Sequence, residues 1–237
     1  MRRHFWLTLG LFCMAWFLLV FRLEDIPPGF QHDQMFDATN ALQVLGGDYP
    51  IYFPVNFGLE PGFMYAAAGV FRLAGGHYVW SLRFTGVMFA LLGLAASLVF
   101  ARHYLGRFAA LFAAALMAGS FWFLLAARIG LEPIALLPLA LASFHFLLRA
   151  QLRPALGLYL LAGALAGASN YAYLAARTLF ALPLVLLLCE LAAVVAARLR
   201  RRAPPALAWP RIGGLLATFV TALAVNAPMQ YYIFTHP

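Results

Sequence analysis

The chain has 237 residues, of which 65% are hydrophobic and only 10% charged. Soluble domains are about half apolar and about a quarter charged, so a soluble globular domain, a disordered chain, collagen and a coiled coil are all excluded. What remains is an all-α polytopic membrane protein. The sixteen basic residues are all arginine against eight acids, a formal charge of +8, and in an apolar chain that excess reads as membrane topology and not as nucleic-acid binding.

An uncharged run at 5–21 follows Arg2, Arg3 and His4. No small-x-small cleavage site follows it, so it reads as an uncleaved first span and not a signal peptide. About 20 apolar residues cross a bilayer, and six further runs qualify. The expected spans are 5–21, 82–101, 108–127, 132–148, 155–170, 178–197 and 212–231, in one transmembrane domain covering 1–237. Residues 22–81 form one long outer loop. An apolar stretch at 61–71 is too short to cross and is expected to lie in the interface or to re-enter.

With seven spans and a cytoplasmic N-terminus, eleven arginines fall inside and five outside: Arg22, Arg72, Arg83, Arg128 and Arg177. Making 61–80 a span would reverse that balance against the positive-inside rule. The acids run the other way, since six of the eight lie in the first outer loop. Cys13 and Cys189 both fall in apolar runs and suggest neither a disulfide nor a metal site.

In the outer loop, Pro27-Pro28-Gly29 stiffens the exit from the first span. Met35, Ala38, Leu42 and Leu45 then recur at helical spacing, followed by Gly46-Gly47. This predicts an amphipathic helix over 34–45, flat on the outer surface. Asp33 stands at its start, either as an N-cap or as a general base; Asp37 follows one turn later, and His32 is a polar neighbour. Glu60 precedes Pro61, where it suits a helix dipole or faces the same cavity as Asp33. Two short outer loops carry arginine. Arg128 has Glu132 four residues on as an ion-pair partner. Arg177 follows Tyr171 and Tyr173 and stands at a helix start, where a cation is disfavoured without an anionic partner. A phosphate is a natural one, because guanidinium binds it in bidentate fashion.

At these residues the chain resembles the bacterial family 39-type glycosyltransferases of the GT-C fold, relatives of the protein O-mannosyltransferases and the lipid A aminoarabinose transferase. The resemblance is carried by Arg22-Leu23, Pro27-Pro28-Gly29, His32-Asp33, Glu60-Pro61, Arg128-Ile129-Gly130-Leu131 and the run from Tyr171 to Arg177. It implies a GT-C-like helical bundle in the cell membrane and a polyprenyl-phosphate sugar donor. It also implies an extracytoplasmic, inverting transfer to a hydroxyl of a glycan, lipid or protein. On that reading Asp33 is the base and Asp37 and Glu60 are supporting acids. Arg177 and Arg128 hold the phosphate, and His32, Gln34, Tyr171 and Tyr173 line the substrate cavity. Gln34 departs from the family, which has Glu there. No cofactor is implied and no cluster at ligand spacing calls for a metal; a divalent ion is not obligatory. The family's chains are about twice as long, so this chain is expected to be the N-terminal part of a larger enzyme and inactive alone. The rival class is a transporter or flippase of lipid-linked saccharides, which would place ionisable groups near mid-membrane; a non-catalytic scaffold leaves the outer-loop pattern without a cause.

Overall fold

In the computed structural model of the chain, residues 2–236 other than Phe57 are described, with only the backbone of Arg2 and Arg3. Among the described residues all regular structure is helical, apart from one isolated bridge between Phe53 and Leu59. The protein is thus all-α, as composition predicts. It forms two compact units, Met1–Leu141 and Ala142–Pro237.

The first unit holds α1 (Arg2–Val20), α2 (His32–Leu45), α3 (Gly62–Ala74), α4 (Val79–Tyr104), α5 (Arg107–Ala118), α6 (Phe121–Arg128) and the first part of α7 (Pro133–Leu152). The second holds the rest of α7, α8 (Leu156–Ser169), a 3-10 helix (Leu174–Phe180) that runs into α9 (Ala181–Leu199), and α10 (Ala208–Thr235). Among the described residues, four segments are long and apolar enough to cross a membrane: Val79–Tyr104, Pro133–Leu152, Leu174–Leu199 and Ala208–Thr235. The pair α5 and α6 makes a fifth if counted as one span, while α1, α3 and α8 are shorter apolar helices. The seven expected ranges all overlap helices, but those at 5–21 and 155–170 overlap α1 and α8, which are shorter than the membrane-crossing segments. The chain is a multi-pass membrane protein.

One expected span is not straight. Residues 108–127 read as one run, yet α5 and α6 meet at 58°. The break falls on Gly119 and Ser120, and Ser120 is extended at ψ 129°. Two poor helix formers in succession are a common cause of kinks. α3 ends as its sequence suggests. Gly75 takes the left-handed conformation at φ 69°, and the N–H groups of Gly75 and Gly76 return to the carbonyls of Arg72 and Phe71. This is a Schellman stop, and at 13 residues α3 is too short to cross a bilayer.

The predicted amphipathic helix is present and begins two residues earlier than its apolar pattern suggests. α2 begins at His32, with Gln31 and not Asp33 as its N-cap residue. Gln31 is the last extended residue, at ψ 156°, so Asp33 already lies inside the first turn, and its reading as a cap is corrected. The face packed against the protein carries Gln34, Asp37, Asn40, Ala41 and Val44. Met35, Leu42 and Leu45 are exposed. The polar stripe therefore faces inward and the apolar one outward, as a helix does when its outer side meets lipid.

In the second unit α8 and α10 run side by side in the same direction. A Cβ on Gly163 would stand 2.4 Å from the Thr218 carbonyl oxygen, and one on Gly167 would stand 2.6 Å from that of Ala222. Glycines four apart let two membrane helices approach backbone to backbone. Thr218 exploits the proximity, its hydroxyl donating to the Tyr159 carbonyl at 3.1 Å.

Candidate active site

The first unit's site begins with the chain leaving α1. The last carbonyls of a helix have no intrahelical partner, and here two buried arginines supply one. Arg128 donates from Nη1 to the Leu18 carbonyl at 2.6 Å, and from Nη2 to those of Phe21 at 2.7 Å and Ile26 at 2.9 Å. Arg83 donates from Nη1 to the carbonyls of Leu23 at 2.9 Å and Glu24 at 3.0 Å, and from Nη2 to that of Gly29 at 2.6 Å. Six carbonyls between residues 18 and 29 are thus held by two planar forks, the geometry in which guanidinium differs from ammonium. The Glu24 carboxylate completes the clamp by accepting the Trp80 N–H at 2.9 Å, in the first turn of α4. Arg128 therefore fastens the loop that follows α1: three of its donors are already spent on backbone, and its sequence-expected pair with Glu132 is not formed among the described residues. Arg83 was not singled out by its sequence position, because an arginine whose partners are carbonyls has no charged residue nearby to announce it.

That clamp fixes where α2 starts. Gln34, 1% exposed, ties the start to the opposite wall. Its Oε1 accepts the Gln31 N–H at 2.8 Å, and its Nε2 donates to the Ile129 carbonyl at 2.7 Å. An ionised glutamate could accept but not donate, so the amide suits this position. Gln34 also lines a cleft of about 230 Å³ together with Pro28, Gly29, Gln31, Arg83 and Ile129. A second cleft of about 250 Å³ lies along α2, lined by Phe30, Ala38, Leu42, Phe71, Tyr78 and Leu82.

Four acids surround the buried side of α2. Asp37, Glu60 and Glu132 are buried, at 2%, 4% and 8% exposure; Asp33 is the exposed one. The Asp37 and Glu132 carboxyl groups are hydrogen-bonded to each other. Burial pushes Asp37 up to about 9, helped by the charge of Glu132, by that hydrogen bond and by the charge of Asp33. Burial likewise raises Glu132 to about 7; its bond to Asp37 opposes the rise, and the charges of Glu60 and Asp33 add to it. Because the bond raises Asp37 and lowers Glu132, the shared proton resides on Asp37. Two carboxylates cannot hydrogen-bond without one, so at neutral pH the pair carries a proton. Glu132, 95 residues beyond Asp37 in sequence, was read only as a partner for Arg128.

Asp33 is held from outside the helix. Asn56 donates from Nδ2 to its Oδ1 at 3.3 Å, and the His32 Nδ1 lies 3.7 Å from the same oxygen. The His32 ring packs edge-on against Phe36 at 4.8 Å. Asn56 reaches it because Phe53 and Leu59 exchange N–H groups and carbonyls at 3.1 and 2.9 Å, folding the chain back over α2. Asp33, Asp37, Glu60 and Glu132 thus stand close enough for their charges to interact, Glu132 being the member that sequence spacing does not suggest. Among the described residues no group of three His, Cys, Asp or Glu side chains is placed to hold a metal ion.

In the second unit, Tyr171 donates its hydroxyl to the Val225 carbonyl at 2.9 Å, which makes it a tie to α10. Tyr173 precedes the 3-10 helix, and Arg177 lies within it. Arg177 is exposed, and its side chain makes no hydrogen bond or ion pair among the described residues. An exposed, unpaired guanidinium at the start of a membrane-crossing helix is free to take an anion.

No protein-family model and no curated protein matches the chain. Among solved structures it is similar to ArnT from Cupriavidus metallidurans, crystallised with undecaprenyl phosphate, at a TM-score of 0.71 and 19% identity. The match covers 95% of this chain and 41% of ArnT, so the chain spans well under half of that protein's length. The GT-C-like helical bundle that the sequence resemblance implies is the fold found.

Proposed function

We propose that the chain forms the catalytic part of a glycosyltransferase that moves a sugar from a polyprenyl-phosphate donor to a hydroxyl, with inversion, on the extracytoplasmic face of the cell membrane. The observation that carries the reading is Asp33, a carboxylate facing solvent while the three acids beside it are buried. It takes the proton from the acceptor hydroxyl as that oxygen attacks the anomeric carbon. The bond from that carbon to the phosphate oxygen breaks, and its electron pair leaves on the lipid phosphate. Glu60 supports the acid cluster, and the apolar cleft along α2 suits an isoprenoid chain. The fold shared with ArnT, which binds undecaprenyl phosphate, supports a lipid donor of that class. Arg128 takes no part in holding phosphate in this proposal, since its donors go to the backbone. A transporter is less well supported: the acid among the long apolar helices, Glu190, is paired with Arg211 at 3.1 Å.

Transfer from a polyprenyl-phosphate sugar, followed in the intact protein, tests the reading. Asp33→Asn keeps the size of the side chain and its bond to Asn56 while removing the proton acceptor. It is expected to slow turnover by roughly 10²–10⁴ with donor binding retained. Near-normal turnover by this variant would remove Asp33 as the base. Donor movement across vesicles without sugar release would favour the transporter.

A further inference from the structure

The second unit has a strongly charged pole that the reaction does not use. α8 and α10 are parallel, with Tyr159 against Gly214 and Gly163 against Thr218. α9 returns antiparallel to α10, since Val194 packs with Ala208 and Ile212, and Glu190 pairs with Arg211. The end of α7 joins them through Leu147 and Ala150, which pack with Tyr159 and Leu215. The ends of α7 and α9 and the starts of α8 and α10 therefore share one pole. Seven of this unit's eight arginines lie there, against one acid.

That acid neutralises one arginine only. Arg211 gives its Nη1 to Glu190 and its Nε to the Gln151 carbonyl at 3.0 Å. The other six, Arg149, Arg153, Arg198, Arg200, Arg201 and Arg202, are exposed, and their side chains make no hydrogen bond or ion pair among the described residues. Three of the four helices ending or starting at this pole, α7, α9 and α10, belong to membrane-crossing segments, so the arginines stand at the boundary between hydrocarbon and water. Exposed Leu199 and Trp209 are interleaved with them, and tryptophan favours the headgroup level. The turn itself favours charge over ease of folding. Arg202 N–H returns to the Ala197 carbonyl at 2.8 Å and Arg201 N–H to that of Arg198 at 3.0 Å, a Schellman closure whose left-handed position normally takes glycine. Here Arg201 occupies it, at φ 51°.

We infer that this pole is a binding surface for anionic phospholipid headgroups, which lie at the depth of the arginines and supply the missing countercharge. Polybasic segments next to a membrane span attract such lipids through the surface potential and by direct guanidinium–phosphate contact. The inference does not depend on the glycosyltransferase reading.

Lipid retention by the intact chain tests it. The chain is equilibrated in detergent with equal amounts of phosphatidylglycerol and phosphatidylcholine of the same acyl chains, and bound lipid is read by native mass spectrometry. Phosphatidylglycerol is expected to be retained more than about tenfold over phosphatidylcholine at low salt, with the preference shrinking as salt rises. The fourfold variant R198Q/R200Q/R201Q/R202Q should lose most of it, while Arg72→Gln, in the first unit, should keep it. Equal retention of the two lipids by the unmodified chain overturns the inference, as does an undiminished preference in the fourfold variant. Should that variant not fold, Arg200→Gln alone carries the test, with an expected loss of about fivefold.

Discussion

At the scale of single residues, the site depends on groups that do no chemistry. Gln34 is the clearest. It stands where the resembling family has Glu, and sequence reasoning alone would treat its loss as minor because an amide cannot act as a base. The structure gives it two buried hydrogen bonds, one within the first turn of α2 and one to Ile129. Removing both while leaving the Ile129 carbonyl unpaired costs about 1–3 kcal/mol. Gln34→Ala should therefore lower the chemical or thermal stability of the detergent-solubilised protein by that amount, and Gln34→Glu should not rescue it at a pH where the new carboxyl is ionised, since a carboxylate cannot donate to a carbonyl. Unchanged unfolding midpoints in both variants would mean that the bridge contributes nothing. Asp33 was legible because a Pro-Pro-Gly stop and a helical apolar pattern frame it locally. Arg83, Arg128 and Glu132 were not, because their partners are backbone carbonyls or a carboxyl about a hundred residues away.

At the scale of elements, local pattern located the helices but not which side of each packs inward. The apolar positions of α2 fixed its existence; that Met35, Leu42 and Leu45 face out follows only from the polar cluster beneath. The bend between α5 and α6 was hidden because apolar residues continue through Gly119 and Ser120. Glycines in α8 and α10 carry a sharper prediction, because the same residue type stands in two opposite environments. At Gly163 an added methyl would meet backbone at 2.4 Å, whereas at Gly213 nothing lies within 4 Å. Overpacking a tight contact costs about 1–3 kcal/mol. Replacing an uncrowded helical glycine by alanine gains about 0.5–1 kcal/mol. Gly163→Ala should thus lower the melting temperature and Gly213→Ala raise it. Shifts of the same sign would show that α8 and α10 are not in backbone contact.

At the scale of the whole molecule, ionisable groups are segregated: unpaired arginines on an exposed pole of the second unit, and buried acids behind Asp33 in the first. The acids tie folding to pH. Asp37 moves from 3.8 in a free chain to about 9 in the fold, and Glu132 from 4.5 to about 7, burial being the largest cause in each. Between the free and folded values the native state binds more protons than the unfolded chain, so stability falls as pH rises through that window. The sign is opposite to that of an acid held ionised by an arginine. The contribution is fully present below about pH 4 and is lost progressively toward pH 9, with Glu132 adding to the slope up to about pH 7. The proton that Asp37 holds is also what lets two carboxyl groups face each other beneath Asp33, so alkaline conditions load the site with repelling charge. Asp37→Asn supplies a permanent donor in the same shape. We expect melting temperatures of the purified chain to decline between pH 5 and pH 9, and the Asn variant to show a flatter decline and to exceed the parent at the alkaline end. A parent whose stability rises over that range, or an Asn variant that keeps the full slope, would mean that Asp37 is ionised in the fold. The acid cluster would then need a countercharge, and the search for it would begin among the groups that line the Gln34 cleft.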